Sequence, residues 1–461
     1  MLFHHLAEEI ATSTKKNYGL LGWHIEALVV APIALILLVY AALTYDPTAL
    51  RAVATGVALL SPIWLPAFLA VFFWTTWIDY IRFGFWFSQE MVLLEVTLPP
   101  EVEKSPLSME LFLTTLWNAG GESTLIARTW KGSFRPVWTL EIASNEGRVS
   151  YYIHLRKSWR NIVEARLYGQ FPEAKIVETE DYTAKVPFNL EEYDLWGTEY
   201  AKSKPGALPI KTYIDYGLDK NTDTPEIQVD PIGNILEYFS HIGPGEYLWL
   251  QIIMKARKHD EWYGLYDYAH DSYKLAGKQL LNDIMTGAAH RAQEVLKQSE
   301  IVEGKVNALL TDGEKQQIEA IERAMGKLTF ECGMRSLYIT RKGKFNGVNI
   351  GSLARLFDPY RSNDFNQINP TRGMSIFDYP WQDFHNIRHN YIREQLFFYY
   401  KNRAYFYVPY DQTPIFFNVE ELASLWHFPN SKVNPPGLER VASKRAAAPV
   451  NLPTGPANLP S

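Results

Sequence analysis

Two long apolar runs near the amino terminus constrain the fold of this chain more than any other feature. Residues 25–44 carry a single charged side chain, at the edge of the run, and residues 52–78 carry none. About twenty helical residues, each rising ~1.5 Å, cross the ~30 Å hydrocarbon layer of a bilayer. Pro62 and Pro66 in the second run are tolerated in transmembrane helices. The runs therefore predict a two-helix transmembrane hairpin over residues 24–78.

The charges that flank the runs predict the orientation of this hairpin. Lys15, Lys16 and Arg82 lie outside it, and Arg51 lies in the short loop between the runs. Lysine and arginine are enriched on the cytoplasmic side of membrane proteins. We therefore expect two membrane spans, with residues 1–23 and the folded part after the hairpin both in the cytoplasm.

Composition excludes several other classes of protein. Of the 461 residues, 47% are hydrophobic and 21% are charged, which excludes a wholly disordered chain. The formal net charge of −6 argues against nucleic-acid binding by the surface as a whole. Cys332 is the only cysteine, which excludes an intramolecular disulfide and a cysteine-rich zinc site. The length exceeds that of one compact core and predicts two or three folded units.

After the hairpin the pattern is that of an α+β protein. The first predicted unit, residues 79–200, alternates short apolar runs with amphipathic segments, and residues 145–147 predict a hairpin turn that contains glycine. The order β-α-β-β-α-β is that of a ferredoxin-like unit. The predicted elements are a strand at 91–99, a helix at 108–118, strands at 137–144 and 148–155, a helix at 158–170 and a strand at 174–182.

A second unit, residues 201–428, shows a similar order and predicts tandem ferredoxin-like units within an α+β fold. A mobile excursion or helical hairpin is expected near residues 262–304. Residues 429–461 are rich in proline and alanine and contain no aromatic residue, which predicts a disordered linker or tail. The elements expected in the second unit are a strand at 246–258, a helix at 312–327, one or two strands at 328–341 and a helix at 349–360.

Several segments together resemble a known family. Residues 151–183 read YYIHLRKSWRNIVEARLYGQFPEAKIVETEDYT, and residues 416–429 read FFNVEELASLWHFP and are followed by PPGLERVASKRAAAPVNLP at 435–453. These segments are similar to the membrane-anchored N-terminal region of type IV secretion and conjugation (HerA-like) ATPases of candidate-phyla-radiation (Patescibacteria) bacteria. The resemblance implies a protein of the bacterial cytoplasmic (inner) membrane, homo-oligomerisation around a secretion channel, and an ATPase as partner.

The sequence departs from that family at the ATPase domain. A Walker A loop, G-x-x-x-x-G-K-[ST], cradles the phosphates of the nucleotide with its backbone and its lysine. No such string occurs in this chain. ATPase activity is therefore not carried over, no cofactor is expected, and the ATPase is expected to act in trans as a separate chain.

One pair of histidines is a candidate metal site. His385 and His389 lie four residues apart and would share one face of a helix, with Asp383 nearby. No fourth ligand is identified, and packing or surface hydrogen bonding is the alternative that we favour. No nucleophile elbow and no dinucleotide-binding fingerprint occurs, so no catalytic residue is assigned.

Two basic stretches are candidates for docking or nucleic-acid contact. Arg156, Lys157 and Arg160 follow an aromatic strand, and basic residues interleaved with aromatic ones contact single-stranded nucleic acid in other proteins. A solvated helix face is the alternative, and it is favoured. The second stretch would bind anionic lipid or an acidic partner, or keep a linker soluble. It comprises Lys432, Arg440, Lys444 and Arg445.

These observations lead to one hypothesis and two alternatives. The leading hypothesis is a non-enzymatic, membrane-anchored scaffold that positions a separate ATPase of a type IV secretion, pilus or DNA-transfer apparatus. The first alternative is the anchoring half of a secretion or conjugation ATPase whose motor domain is missing from this sequence. The second is a membrane-associated protein that binds single-stranded nucleic acid, a partner that we consider less favoured.

Overall fold

The computed structural model describes residues 48, 51, 55–56, 58–99, 104–122, 124–219, 229–257, 272–296, 310–371, 383–407, 410–429, 433 and 435–440. Within these ranges the chain is a mixed α+β protein built on one nine-stranded antiparallel sheet, which confirms the predicted fold class. The helices are α1 (Ser61–Ser88), α2 (Pro106–Leu116), α3 (Leu125–Thr129), α4 (Arg160–Gln170), α5 (Ile232–Ser240), α6 (Ser272–Leu296), α7 (Asp312–Gly326), α8 (Val348–Ala354), α9 (Ile387–Lys401) and α10 (Val419–Leu425). The strands are β1 (Met91–Thr97), β2 (Val137–Asn145), β3 (Arg148–Arg156), β4 (Lys175–Thr179), β5 (Tyr193–Lys202), β6 (Glu246–Ala256), β7 (Thr329–Arg341), β8 (Ile368–Pro370), β9 (Phe406–Tyr407), β10 (Tyr410–Asp411) and β11 (Ile415–Asn418).

Helix α1 is long and apolar enough, by length and composition, to cross a membrane, and it is the one such helix among the described residues. The most apolar stretch of 18 residues in this helix has a mean hydropathy of 1.4, and none of that stretch is buried inside the protein. This helix corresponds to the second run of the predicted two-helix hairpin. The first predicted run, 25–44, lies outside the described residues, so the hairpin stays a prediction. The helix continues past the predicted end at residue 78 because Phe85 and Trp86 pack against the sheet.

The first half of the sheet has the strand order β4-β1-β3-β2. Strand β1 lies in the middle and is antiparallel to both neighbours, so that Leu94 pairs with Ile153 on one side and with Glu178 on the other. Strands β2 and β3 form the expected hairpin, whose turn places Glu146 and Gly147 at positive φ. These elements follow the predicted β-α-β-β-α-β order closely.

The second half repeats this arrangement with the order β6-β7-β5-β8. When each half is read from its outer edge toward the centre of the sheet and numbered by itself, its four strands run fourth, first, third, second. Strand β5 opens the second half, and the predicted boundary at residue 200 falls inside it. Strand β7 is one strand where one or two were expected. Helix α6 lies within the predicted excursion, whose flanking residues 258–271 and 297–309 are outside the described part.

The two halves join edge to edge through β2 and β6, where Leu140 pairs with Ile252. Alternation along each strand sends one set of side chains to a face covered by α2, α4, α5, α8 and α10. The other set points to a face covered by α9, with Ile392 and Leu396 buried against it. The molecule therefore has three layers, with the sheet in the middle.

After α10, the chain returns to the first half of the sheet. Residues 435–440, which we call the C-terminal strap, lie beside the C-terminal end of β1 and the N-terminal end of β3. The amide of Val149 donates to the carbonyl of Gly437 at 2.8 Å, and the amide of Glu439 donates to the carbonyl of Val149 at 3.1 Å. The folded part therefore extends beyond residue 429, where the tail was predicted to begin.

Candidate functional site

The face of the sheet under α9 carries a row of polar side chains at one level across five neighbouring strands. The residues paired across this row are Tyr152 with Glu141, Glu141 with Gln251, Gln251 with Arg335, and Arg335 with Glu199. Residues paired directly across neighbouring strands point to the same face. We call these five residues the cross-sheet polar row.

Arg403, just after α9, forms the central ion pair of this row. Its Nε lies 3.0 Å from Oε1 of Glu141 and its Nη2 lies 3.2 Å from Oε2, a two-pronged contact. The side chains of Arg403 and Glu141 are 3% and 0% exposed, and the same guanidinium also pairs with Asp181. Burial acts to lower the pKa of Arg403, but the charges of Glu141 and Asp181 outweigh it and raise that pKa.

Most other polar groups of the row have partners within the protein, whereas Nη1 of Arg335 and Oε1 of Glu199 are buried without a hydrogen bond to any described residue. Gln251 donates to Oε1 of Glu141 at 2.7 Å, and the Tyr182 hydroxyl donates to Oε2 at 2.8 Å. The Nε of Arg335 donates to Oε1 of Gln251 at 2.8 Å, and its Nη2 donates to the carbonyl of Tyr399 at 2.9 Å. The row thus holds the C-terminal end of α9 against the sheet.

His154 lies on the same face, two residues along β3 from the row. Burial lowers the pKa of His154, the positive charge of Arg403 lowers it further, and Asp181 opposes the shift. The unfolded chain, with a histidine pKa of about 6.5, therefore binds more protons than the folded one at mildly acidic pH. The stability that the neutral imidazole confers is complete above that pH and is lost as the pH falls toward the folded-state pKa.

We predict that the free energy of unfolding falls between about pH 7.5 and pH 5.5 and that His154→Phe reduces this fall, because the variant removes the proton uptake of the unfolded histidine. Urea unfolding of both proteins at the two pH values measures the difference. Other groups titrate equally in both proteins, so an identical pH dependence would contradict the assignment of a buried neutral His154.

Beyond the Glu199 end of the row, β5 and β11 border an open cleft of about 500 Å³. Burial raises the pKa of Glu199, although Arg335 and a hydrogen bond with Tyr410 act against the shift. Lys202 on the cleft wall binds Oε1 of Glu421 at 2.7 Å, and Lys204 donates to the carbonyl of Asn363 at 2.6 Å. The two lysine ammonium groups on the cleft wall are therefore bound to protein acceptors.

A second cluster joins α1 to the sheet, and we call it the helix–sheet junction. The indole Nε1 of Trp77 donates to the carbonyl of Thr129 at 2.8 Å. The Phe134 ring lies 5.0 Å from that of Phe85 and 5.6 Å from that of Trp86, measured between centroids. The guanidinium of Arg156 lies over the Phe134 ring at 4.8 Å. The last turns of α1 are thereby held against α3 and the loop that leads into β2.

The three residues of the first basic stretch, Arg156, Lys157 and Arg160, all interact with other residues of this chain. Arg156 belongs to the helix–sheet junction. Lys157 pairs with Glu90 at 2.9 Å. Arg160 pairs with Glu164 at 2.8 Å and also with Glu178. The structure brings these three residues to one end of β3, but each interacts with a different residue of the same chain.

The two histidines do not share a helix face. Helix α9 begins at Ile387, so His385 precedes it and has a left-handed backbone, with φ of 60°. The Nδ1 of His389 lies 2.7 Å from Oδ2 of Asp383, and that carboxylate also accepts the amide of Arg388 at 2.9 Å. Within the described residues, no three histidine, cysteine or acidic side chains form a group that could hold a metal ion. Asp383 therefore caps the first turn of α9, because its carboxylate accepts the amides of Arg388 and His389.

The structure describes only one of the four residues of the second basic stretch. Arg440 lies in the C-terminal strap, where its Nη2 donates to the carbonyl of Val433 at 2.7 Å. Lys432, Lys444 and Arg445 lie outside the described residues. Arg440 is therefore part of the folded body.

The sequence analysis did not single out the cross-sheet polar row or Arg403. A signal was present, because Glu141, Gln251 and Arg335 are isolated polar residues inside strongly apolar strands. Each one alone is compatible with a solvent-facing position. Only the register of strands far apart in sequence places them side by side.

Comparison with known proteins assigns this chain to a family. A search of curated proteins finds none that matches this chain. A family model described as a domain of unknown function, DUF8128, matches residues 99–440. The matched range begins just after β1 and ends at the last residue of the C-terminal strap, so it contains most of the sheet and the whole polar row. The chain therefore belongs to the DUF8128 family.

Proposed function

We propose that this protein is a non-enzymatic scaffold, anchored in the bacterial inner membrane by α1, that positions an ATPase of a secretion, pilus or DNA-transfer apparatus at the cytoplasmic face. The anchor is supported by the exposed apolar side chains of α1, which include Ile63, Phe68 and Phe72. An unpartnered surface of this kind is unstable in water and stable in a lipid core. The ATPase as partner is supported by the resemblance of residues 151–183, 416–429 and 435–453.

The observation that carries the docking part of the proposal is the separation of α1 and the C-terminal strap, which lie at opposite ends of β1. Helix α1 leads into β1 at Met91, whereas the strap lies beside Leu98 at the opposite end of the same strand. Seven steps along a strand cover about 23 Å. Arg440, the last residue that the structure describes, therefore lies on the side of the body away from α1, where a cytoplasmic partner would approach.

We further infer that each half of the sheet is a ferredoxin-like unit. The support is the strand order within each half, which is the order of a split β-α-β arrangement. The two units are joined through β2 and β6 into one continuous sheet, which separates the anchor from the strap.

The docking proposal predicts that removing the chain after Arg440 weakens recruitment of the ATPase. The truncation leaves the strap in place, so the body stays folded. We expect several-fold less of the secretion-type ATPase of the same organism to sediment with membranes that carry the truncated protein than with membranes that carry the full chain. Immunoblotting of sedimented membranes measures both proteins.

A double variant, Lys444→Ala with Arg445→Ala, removes two positive charges from the segment after Arg440 but keeps the length of that segment. Loss of recruitment in this variant would assign docking to the two basic side chains. Equal amounts of ATPase on membranes with the full and the truncated protein would rule out docking by the tail.

A further inference from the structure

An apolar patch lies on the body beside the base of α1. It consists of Leu125, Ile126 and Trp130, which are 60%, 62% and 68% exposed. All three belong to α3 or directly follow it, and they are large side chains on a helix of five residues. Scattered single apolar residues are normal on protein surfaces, but three adjacent ones of this size mark a contact surface.

The patch is continuous with the apolar surface of α1. The Trp130 ring lies 5.7 Å from the Trp77 ring, in an edge-to-face arrangement. Trp77 also donates to the carbonyl of Thr129, so α3 is fixed to α1 at this level. On the N-terminal side of Trp77, α1 exposes Phe72, Phe73 and Trp74. The patch therefore lies beside the turn at which the exposed apolar part of α1 meets the body.

Its side-chain chemistry fits the boundary between lipid headgroups and acyl chains. Tryptophan side chains are enriched at that boundary, where Trp77 and Trp130 would lie together. Lys131 follows directly, is exposed, and would reach anionic headgroups, while leucine and isoleucine enter the acyl region. A soluble protein partner would not explain why the patch is level with Trp77, near the C-terminal end of the apolar run of α1.

We propose that Leu125, Ile126 and Trp130 insert into the headgroup–acyl boundary of the leaflet from which α1 emerges. This second lipid contact, which rests on the proposed membrane anchoring by α1, fixes the tilt of the sheet relative to the membrane. A single helix leaves the body free to tilt, whereas a helix and a lateral patch define a plane. The strap is then held at a constant height above the membrane.

Site-directed spin labelling of the full-length protein in vesicles of phosphatidylethanolamine and phosphatidylglycerol tests this proposal. The single native cysteine, Cys332, is buried, and burial raises the pKa of its thiol, so an added cysteine is labelled selectively. Labels are placed by Ile126→Cys in the patch, by Phe72→Cys in α1 and by Val348→Cys. Val348 is 74% exposed and lies at the end of the sheet away from α1, which makes it the matched control.

Accessibility to oxygen, which partitions into lipid, is compared with accessibility to a water-soluble nickel complex. We expect the oxygen-to-nickel ratio at positions 72 and 126 to exceed that at position 348 several-fold. A lipid-like ratio at 72 with a water-like ratio at 126 would overturn the patch proposal and leave the anchor intact. A label at 126 protected from both reagents would also overturn it, since protein would cover the patch. A water-like ratio at 72 would overturn the anchor itself.

Discussion

Replacing Arg403 with methionine is expected to lower the free energy of unfolding by about 3–5 kcal/mol, because it leaves Glu141 charged and buried without its ionic partner. Glu141 is fully buried and keeps only neutral donors, Gln251 and Tyr182, after the change. Asp181 loses the same guanidinium. Arg403 also has a left-handed backbone, with φ of 51°, which the ion pair helps to hold.

Chemical unfolding of the purified protein followed by circular dichroism measures this effect. Arg160→Met is the matched control, since Arg160 also binds two carboxylates, Glu164 and Glu178, but at the surface. Solvent replaces such exposed pairs, so the control is expected to change stability little. If the two substitutions have equally small effects, the polar row does not hold α9 on the sheet.

The second large effect is expected for Gly132→Val at the helix–sheet junction. Gly132 has φ of 63°, and a side chain there would overlap the backbone of Ile81 in α1. The left-handed conformation costs a non-glycine residue about 1–2 kcal/mol, and overpacking against a rigid backbone costs about 1–3 kcal/mol more. We expect the variant to release the last turns of α1 from the sheet as well as to lose stability.

Hydrogen exchange of the detergent-solubilised protein locates this release. Amides of residues 77–88 should exchange faster in Gly132→Val than in the unchanged protein, while those of β6 stay protected. Gly169→Ala is the control, because Gly169 lies in α4 with open space where a Cβ would be added. Unchanged exchange at residues 77–88 in the valine variant would show that α1 is not held through this loop.

Local elements were largely predictable, because their signals are local. The helix expected at 312–327 is α7, and its Thr311 and Glu314 form the reciprocal N-terminal cap that such a pair favours. The turn at Glu146 and Gly147 and the strands on either side of it lie where the pattern indicated. Residues a few positions apart determine these features, whatever the rest of the chain does.

Features that depend on distant pairing were missed. Strand β5 was split by a predicted boundary, because its partner β7 lies more than a hundred residues further along the chain. The strap was predicted as part of a tail on composition, yet Gly437 packs directly against the carbonyl of Gly147, a contact that only a glycine permits. The metal hypothesis for His385 and His389 assumed a helix that begins before Ile387, and the Asp383 cap starts it later.

The sequence by itself determined the apolar helix, the α+β class and the order of most strands and helices, because hydrophobic periodicity and capping residues act over a single element. Tertiary structure alone decided which polar residues meet. Glu141, Gln251 and Arg335 become neighbours of Arg403 only when four segments adopt one register. Shifting one strand by a single residue would turn its polar side chain to the opposite face, and no local signal encodes that choice.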